Sequence, residues 1–309
     1  MKFTKQAIAL AILSASTFGV NAATVELYGK ANLTLQSSDE GDGSFTEVKS
    51  NASRIGLKGT HDLGNGLSVV YKAEFQVDMD GDSDKGDSIT DRNQYVGLKG
   101  DFGEVLIGKN DTVTKQSQGK VDLFSDLNAD IKVLWKGENR MSDSVTYKSP
   151  KFSGFQFGMT YIAEDSVDGD DAISAAVTYG DKGLKKSKLF ASVAVDSEVK
   201  GYDVVRATVQ GKLQGFTLGA MVQTQEAVDS GTETDGFLVS AKYGLTKAVA
   251  LKAQVQTANT DGGDDKSGFT LGADYKLAKS TKAFAYYTTF DMDSGADEDY
   301  LAVGLEYKF

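Results

Sequence analysis

The chain has 309 residues, a formal charge of −11, no cysteine, a single proline (Pro150) and 34 glycines. The absence of cysteine excludes a disulfide framework, a thiol nucleophile and zinc–thiolate sites. The acidic balance argues against a nucleic-acid partner, and no phosphate-binding loop or metal-ligand spacing occurs, so neither a cofactor nor a metal is expected.

Residues 1–22 read as a leader. Lys2 and Lys5 precede the apolar run AIALAIL, and Val20-Asn21-Ala22 supplies small residues for cleavage after Ala22 or Ala23. Removing the two lysines takes the charge from −11 to −13 over residues 23–309. No later run approaches the ~18 apolar residues of a membrane helix, a criterion blind to barrels built of strands.

From Thr24 onward apolar and polar residues alternate. In Thr24–Ser37, Val25, Leu27, Ala31, Leu33 and Leu35 oppose Glu26, Tyr28, Lys30, Asn32 and Thr34, the period of a strand. An acidic stretch at Ser38–Ser50 follows. Similar runs then recur: Ser53–His61, Leu67–Asp78, Arg92–Gly100, Glu104–Lys109, Met141–Ser149, Phe155–Ala163, Ala172–Tyr179 and Leu189–Ser197. The last seven are Asp203–Gly211, Phe216–Gln225, Gly236–Tyr243, Val249–Ala258, Ser267–Tyr275, Thr281–Asp291 and Tyr300–Phe309. This predicts sixteen strands.

Connection length is expected to alternate between long and short, and charge alternates with it. Acidic connections hold Asp80, Asp82, Asp84 and Asp87, then Glu164, Asp165, Asp168, Asp170 and Asp171, then Asp291, Asp293, Asp297, Glu298 and Asp299. Several short ones are basic, with Lys182, Lys185, Lys186 and Lys188, or Lys276, Lys279 and Lys282. An up-and-down barrel places these two sets on opposite rims. The polar faces carry Glu26, Lys30, Arg54, Lys58, Lys72, Glu74, Arg206 and Glu306, too many charges to bury at several kcal/mol each. Lipid outside and water inside satisfies both faces. The fold class is therefore an all-β transmembrane antiparallel barrel.

One stretch refuses the alternation. Asn110–Arg140 holds the only tryptophan, Trp135, with the apolar residues Leu123, Phe124, Leu127, Ile131 and Leu134, and the carboxylates Asp122, Asp126, Asp130 and Glu138. So long a connection is usually functional or disordered, and its apolar content argues for packing against the barrel. Asp122, Asp126 and Asp130 recur at four-residue spacing, which on a helix would make one acidic stripe. Leu123, Leu127, Ile131 and Leu134 would make a neighbouring stripe facing the wall.

Four segments carry a family likeness: VELYGKANL, SRIGLKGTHDLGNGLSVVYKAEF, RNQYVGLKGDFGEVLIGK and the ending GLEYKF. Together they resemble the Gram-negative general diffusion porins. The resemblance implies sixteen-stranded barrels in the outer membrane, assembled as homotrimers, with an inward-folded third loop that narrows the pore. Asn110–Arg140 would be that constriction loop, and Met79–Asp91 would reach a neighbouring subunit. Partners implied are outer-membrane lipid, lipopolysaccharide and the assembly machinery, with Phe309 and Tyr307 as the assembly signal. The loop lacks the Pro-Glu-Phe-Gly-Gly block of the enterobacterial members.

The resemblance also implies basic wall residues facing loop carboxylates. By motif position the wall residues are Lys30, Arg54, Arg92 and Arg140, and three of the chain's four arginines fall in this set. Arginine stays protonated among like charges where lysine loses its proton. Strand parity sends Lys30 and Arg54 to the polar face. Arg92 shares parity with Val96 and Leu98, so either a bulge intervenes or Asn93, Tyr95 and Gly97 face outward.

The function expected is passive diffusion of small hydrophilic solutes and ions through a water-filled channel, with weak cation preference from the acidic rim. A substrate-selective channel is the alternative, and an exported β-sandwich adhesin a remoter one. An enzyme is not expected: His61 is the only histidine, and no nucleophile motif stands near it.

Overall fold

The computed structural model describes residues 24–81, 88–164, 166 and 169–309. The leader at 1–22, part of the connection at 79–91, and Asp82, Asp84, Asp87, Asp165 and Asp168 lie outside the described residues.

Among the described residues seventeen strand segments form one antiparallel sheet. They are β1 (Thr24–Asp39), β2 (Ser44–Ser50), β3 (Arg54–Gly64), β4 (Leu67–Val77), β5 (Ile89–Gly100), β6 (Gly103–Asp111), β7 (Arg140–Lys148), β8 (Phe155–Ile162) and β9 (Ala172–Gly180). The second half comprises β10 (Leu189–Ser197), β11 (Tyr202–Leu213), β12 (Phe216–Ala227), β13 (Thr232–Gly244), β14 (Val249–Thr260), β15 (Asp265–Lys276), β16 (Thr281–Asp291) and β17 (Glu298–Lys308).

The sheet closes on itself where β17 pairs with β1, Leu305 opposite Leu33. β1 is long enough to pair with β2 along its second half and with β3 along its first. β2 and β3 therefore share one position in the ring, which gives sixteen positions from seventeen segments. Closure removes the open edges and the second layer that a sandwich would need.

β2 falls within the stretch read as an acidic connection. Its apolar residues, Phe45 and Val48, sit three apart and on opposite parities, so no alternation announces a strand. The break before β3 is held by buried amides and hydroxyls. Ser53 Oγ accepts from Asn32 N at 3.0 Å, Asn51 Nδ2 donates to Thr34 Oγ1 at 2.9 Å, and Ala52 takes φ 49°.

The two faces of the sheet invert the usual order. Leu27, Val193, Val205, Leu301, Val303 and Leu305 are exposed, whereas Gln36, Gln254, Gln256, Ser174 and Thr288 are almost completely buried. An apolar exterior of this extent marks a surface made for lipid. Tyr307 and Phe309 stack with ring centroids 5.9 Å apart where the chain ends, and Phe216 and Tyr243 pair at 4.6 Å.

Residues 112–139 pack along part of the buried polar face. Val121, Ile131, Leu134 and Trp135 cluster with Met221, Leu238, Ala258, Phe290 and Tyr300. Phe124, Leu127 and Ala129 cluster with Phe284, Tyr286 and Ala302. Burying each of the larger side chains contributes about 1.5–3 kcal/mol. Strand glycines make this approach possible. A Cβ on Gly236 would stand 2.8 Å from Trp135 Nε1, and one on Gly272 2.8 Å from the Phe124 ring.

The connections separate by charge more cleanly than by length. Among the described residues one rim carries 40–43, 78–81, 88, 163–164, 166, 169–171, 198–201, 228–231, 261–264 and 292–297, with Glu40, Asp42, Asp80, Glu164, Asp229, Asp261 and Asp297. The other carries 65–66, 101–102, 149–154, 181–188, 214–215, 245–248 and 277–280, with Lys151, Lys182, Lys185, Lys247 and Lys279. Four connections on the acidic rim are only four residues long and one on the basic rim has eight, so strict alternation of length does not hold.

Candidate functional site

The wall residues lie on β1, β3, β5 and β7, within one stretch of the sheet. Lys30 on β1 lies directly opposite Arg54 on β3. Between Ala73 and Phe75 the β4–β5 register shifts, so Arg92 and Asn93 together oppose Glu74. This bulge turns Arg92 inward despite its parity with the exposed Val96: Arg92 is buried, and its Nε donates to Glu74 Oε1 at 2.7 Å. Glu74 also accepts from Tyr28 OH at 2.7 Å and from Lys72 at 3.1 Å. Arg140, opening β7, pairs with Asp111 at 2.9 Å, and Lys115 reaches the same carboxylate at 3.4 Å. Arg140 Nε further donates to Asn93 Oδ1.

The four loop carboxylates take different positions. Asp126 alone meets this wall. Its Oδ2 lies 2.7 Å from Lys30 Nζ and also accepts from Arg54 Nη2. Asp122 and Asp130 instead hold the loop's own backbone. Asp122 accepts from Phe124 N at 2.9 Å and Ile131 N at 3.1 Å, and Asp130 from Asp126 N at 2.7 Å and Lys132 N at 2.9 Å. Glu138 reaches the opposite wall, where Arg206 of β11 pairs with it at 2.6 Å, and Gln118 of the loop donates to it at 2.7 Å.

The helical stripe does not form. The segment has one short helix, α1 (Val113–Ser117), capped by Thr112 Oγ1, and a 3-10 turn at Ile131–Val133 capped by Asp130. Between them the chain makes turns, with Asp126 at φ 71°. Short aspartate side chains compete with the helix by bonding nearby N–H groups, and Asp122 and Asp130 do so here.

Serine and glutamine side chains of the wall bind the segment's backbone strand after strand. Ser174 of β9 accepts from Thr114 N at 3.1 Å, Ser192 of β10 donates to Ser117 O at 2.7 Å, and Gln210 of β11 donates to Lys120 O at 3.0 Å. Ser240 of β13 donates to Val121 O at 2.6 Å, and Gln254 of β14 accepts from Leu123 N at 2.9 Å. Trp135 Nε1 donates to Thr257 O at 2.6 Å. The segment thus runs along β9–β16, and its tip crosses to β1 and β3.

Burial sets the electrostatics. It works to raise the Asp126 carboxyl, but Arg54 and Lys30 outweigh it and hold Asp126 well below the usual carboxylate range. Burial and then the neighbouring Asp130 push Asp122 up to about 8, against the N–H groups of Ile131 and Phe124. Glu138 is raised by burial, partly offset by Arg206 and Lys115. Reading the sequence missed the pairing role of Arg206, Asp111 and Lys115. Arg206 carried a usable signal as the one remaining arginine, inward by parity between Val205 and Ala207.

The model of the Gram-negative porin family matches residues 8–308. Major outer membrane protein P.IB of Neisseria lactamica is 32% identical over 180 residues, 54% of this chain and 51% of that protein. The chain spans about half or less of the length of the curated relatives it matches. Among solved structures, an anion-selective porin from Comamonas acidovorans superposes with a TM-score of 0.79 at 20% identity, covering 93% of this chain and all of that one. OmpT of Vibrio cholerae in its trimer form does so at 0.72 and 18%, with 93% and 100% covered. With an apolar exterior on a closed sixteen-position sheet and a family match over nearly its whole length, the chain belongs to the Gram-negative porins of the outer membrane.

Proposed function

We propose that the barrel is a channel for passive diffusion of small hydrophilic solutes and ions, narrowed by residues 112–139. The observation that carries this is the placement of Asp126. It brings the loop tip against Lys30 and Arg54, beside a wall that continues through Arg92 and Arg140. A water-filled passage bounded by that wall and the loop carries a transverse field, and charged rings at the narrowest point set selectivity.

The sign of that field departs from the acidity of the whole chain. Lys30, Arg54, Lys72, Arg92, Lys115 and Arg140 are matched there by Asp126, Glu74 and Asp111, an excess of three positive charges. The acidic rim opposes it. Two fields in series follow: a mouth that gathers cations within a Debye length of ~8–10 Å, and a constriction that favours anions. Salt screens the exposed mouth much more than the half-buried wall, so anion preference grows as salt rises. The anion-selective neighbour from Comamonas acidovorans is in keeping with this sign.

Homotrimer formation accords with the trimer form of the Vibrio cholerae neighbour. Lipopolysaccharide on the acidic rim and the assembly machinery at Phe309 complete the proposed partners. The test is reversal potential across a fixed salt ratio at low and high mean concentration. A shift toward anions as salt rises supports the two-field reading, and a constant value or a shift toward cations overturns it.

A further inference from the structure

Beyond the constriction, the inner face of the basic rim carries a charge pattern that works against the sheet. Lys242 stands directly opposite Lys252, and Lys276 opposite Lys282. Like charges in directly opposed positions destabilise an antiparallel sheet. Two carboxylates relieve part of this. Asp274 lies 3.0 Å from Lys252, 3.8 Å from Lys282 and 3.9 Å from Lys242, and Glu306 lies 2.9 Å from Lys308 and 3.8 Å from Lys282.

A cavity of about 380 Å³ opens among these groups. Among the described residues Lys242, Lys247, Lys276, Lys279, Lys282 and Lys308 line it, with the carboxylates Asp274 and Glu306, an excess of four positive charges. Among the described residues Lys247, Lys276 and Lys279 form no ion pair, so their ammonium groups are free to close on a ligand. We infer that this cavity binds a multivalent oxyanion of the condensed-phosphate class, through the Lys276–Lys282 pair and the turn lysines Lys247 and Lys279.

The ligand class follows from the charge and the space. A single chloride or orthophosphate offsets a fraction of four excess charges, whereas a linked chain of phosphates spreads several negative oxygens across lysines on neighbouring strands. Lysine, a compact point charge with three donors, serves such oxygens from several directions. The volume falls in the range of ordinary small-ligand sites. The cavity sits on the rim of the tight turns and chain termini, the periplasmic side of such barrels. The inference requires the barrel and is independent of conduction.

The test is calorimetric titration of the full, detergent-folded chain with sodium tripolyphosphate, alongside orthophosphate and sulfate. Expected is saturable binding of tripolyphosphate that the triple variant K276Q/K279Q/K282Q weakens at least about tenfold. The charge-matched variant K185Q/K186Q/K188Q, on another part of the same rim, retains wild-type binding. Should the first triple fail to fold, the exposed-turn variant Lys279→Gln alone is expected to weaken binding about threefold. Equal loss in both triples shows a diffuse counterion cloud and overturns the site. Orthophosphate or sulfate binding as tightly as tripolyphosphate overturns the ligand class, and no saturable binding overturns the inference outright. Bilayer conductance of the same preparation reads the proposed channel function separately from either result.

Discussion

Lys30 and Arg54 stand directly opposite each other on β1 and β3 and close on the same oxygen, Asp126 Oδ2. Asp126 thereby satisfies a like-charge pair that the sheet would otherwise hold at a cost. The contact also separates two spaces. A cavity of about 460 Å³ bounded by Tyr28, Lys30, Arg54 and Phe309 and one of about 290 Å³ bounded by Lys49, Asn51, Lys132 and Tyr300 share Asp126 in their walls.

Replacing Asp126 with asparagine removes the counter-charge and keeps the shape. The tip should withdraw, join the two cavities and leave two uncompensated cations at the passage. Larger single-channel conductance and a reversal potential moved toward anions are expected. Asp126→Ala should also cost about 1–3 kcal/mol of stability, read as a lower temperature for loss of the compact, heat-modifiable form. Unchanged conductance in both variants would remove Asp126 from the passage.

Asp122 and Asp126 should respond oppositely to pH. A carboxyl held below its unfolded value adds stability above about 4 and loses it as pH falls through the folded value, so the Asp126 contact should survive into strong acid. A raised carboxyl contributes fully below about 4 and loses that contribution as pH rises through the folded value, for Asp122 about 8. Trp135, the only tryptophan, is packed against Ile131 and reports on this part of the loop. Its emission should change as pH rises through about 8, and Asp122→Asn should abolish the change. Identical titrations of the two proteins would assign the transition elsewhere.

Arg206 and Glu138 anchor the neck of the loop as the tip is anchored by Asp126. Arg206 is fully buried and also donates to Gln223 Oε1 at 2.7 Å and Lys136 O at 3.0 Å. Arg206→Ala strands Glu138 and should destabilise by about 3–5 kcal/mol, whereas the double variant R206M/E138Q should recover much of that loss. A double-mutant cycle on thermal unfolding measures the coupling, and strict additivity would show the pair to be incidental.

Phe309 closes the barrel seam. Its N–H and C=O exchange hydrogen bonds with Gly29 at 3.2 and 3.0 Å, and its ring occupies the space a Cβ on Gly29 would need. Deleting Phe309, or changing Gly29 to valine, should lower the amount of heat-modifiable protein in the outer membrane while export proceeds. Wild-type levels of both variants would contradict a closing role.

Legibility followed the strength of the local signal. Runs such as Val193–Val195 and Leu301–Leu305 alternate because lipid and water demand opposite side chains on the two faces, and that demand is written residue by residue. β2 was hidden because Phe45 and Val48 break the alternation. The inward turn of Arg92 depends on one extra residue opposite Glu74, and a bulge leaves no distinctive composition. The loop carboxylates were visible, but their partners were not: whether an aspartate meets a wall cation or its own backbone depends on turns such as the αL conformation at Asp126. The loop's apolar residues were found, while the glycines at 236 and 272 that receive Trp135 and Phe124 lie over a hundred residues away.

The central claim is that the passage runs between the loop and the basic wall, and neutralising that wall tests it most directly. Planar-bilayer recordings of the triple variant R54Q/R92Q/R140Q against the wild type should show a reversal potential moved toward cations, together with altered single-channel conductance. A wild-type reversal potential and conductance in a folded, inserted triple variant would contradict the claim and place the narrowest point elsewhere in the barrel.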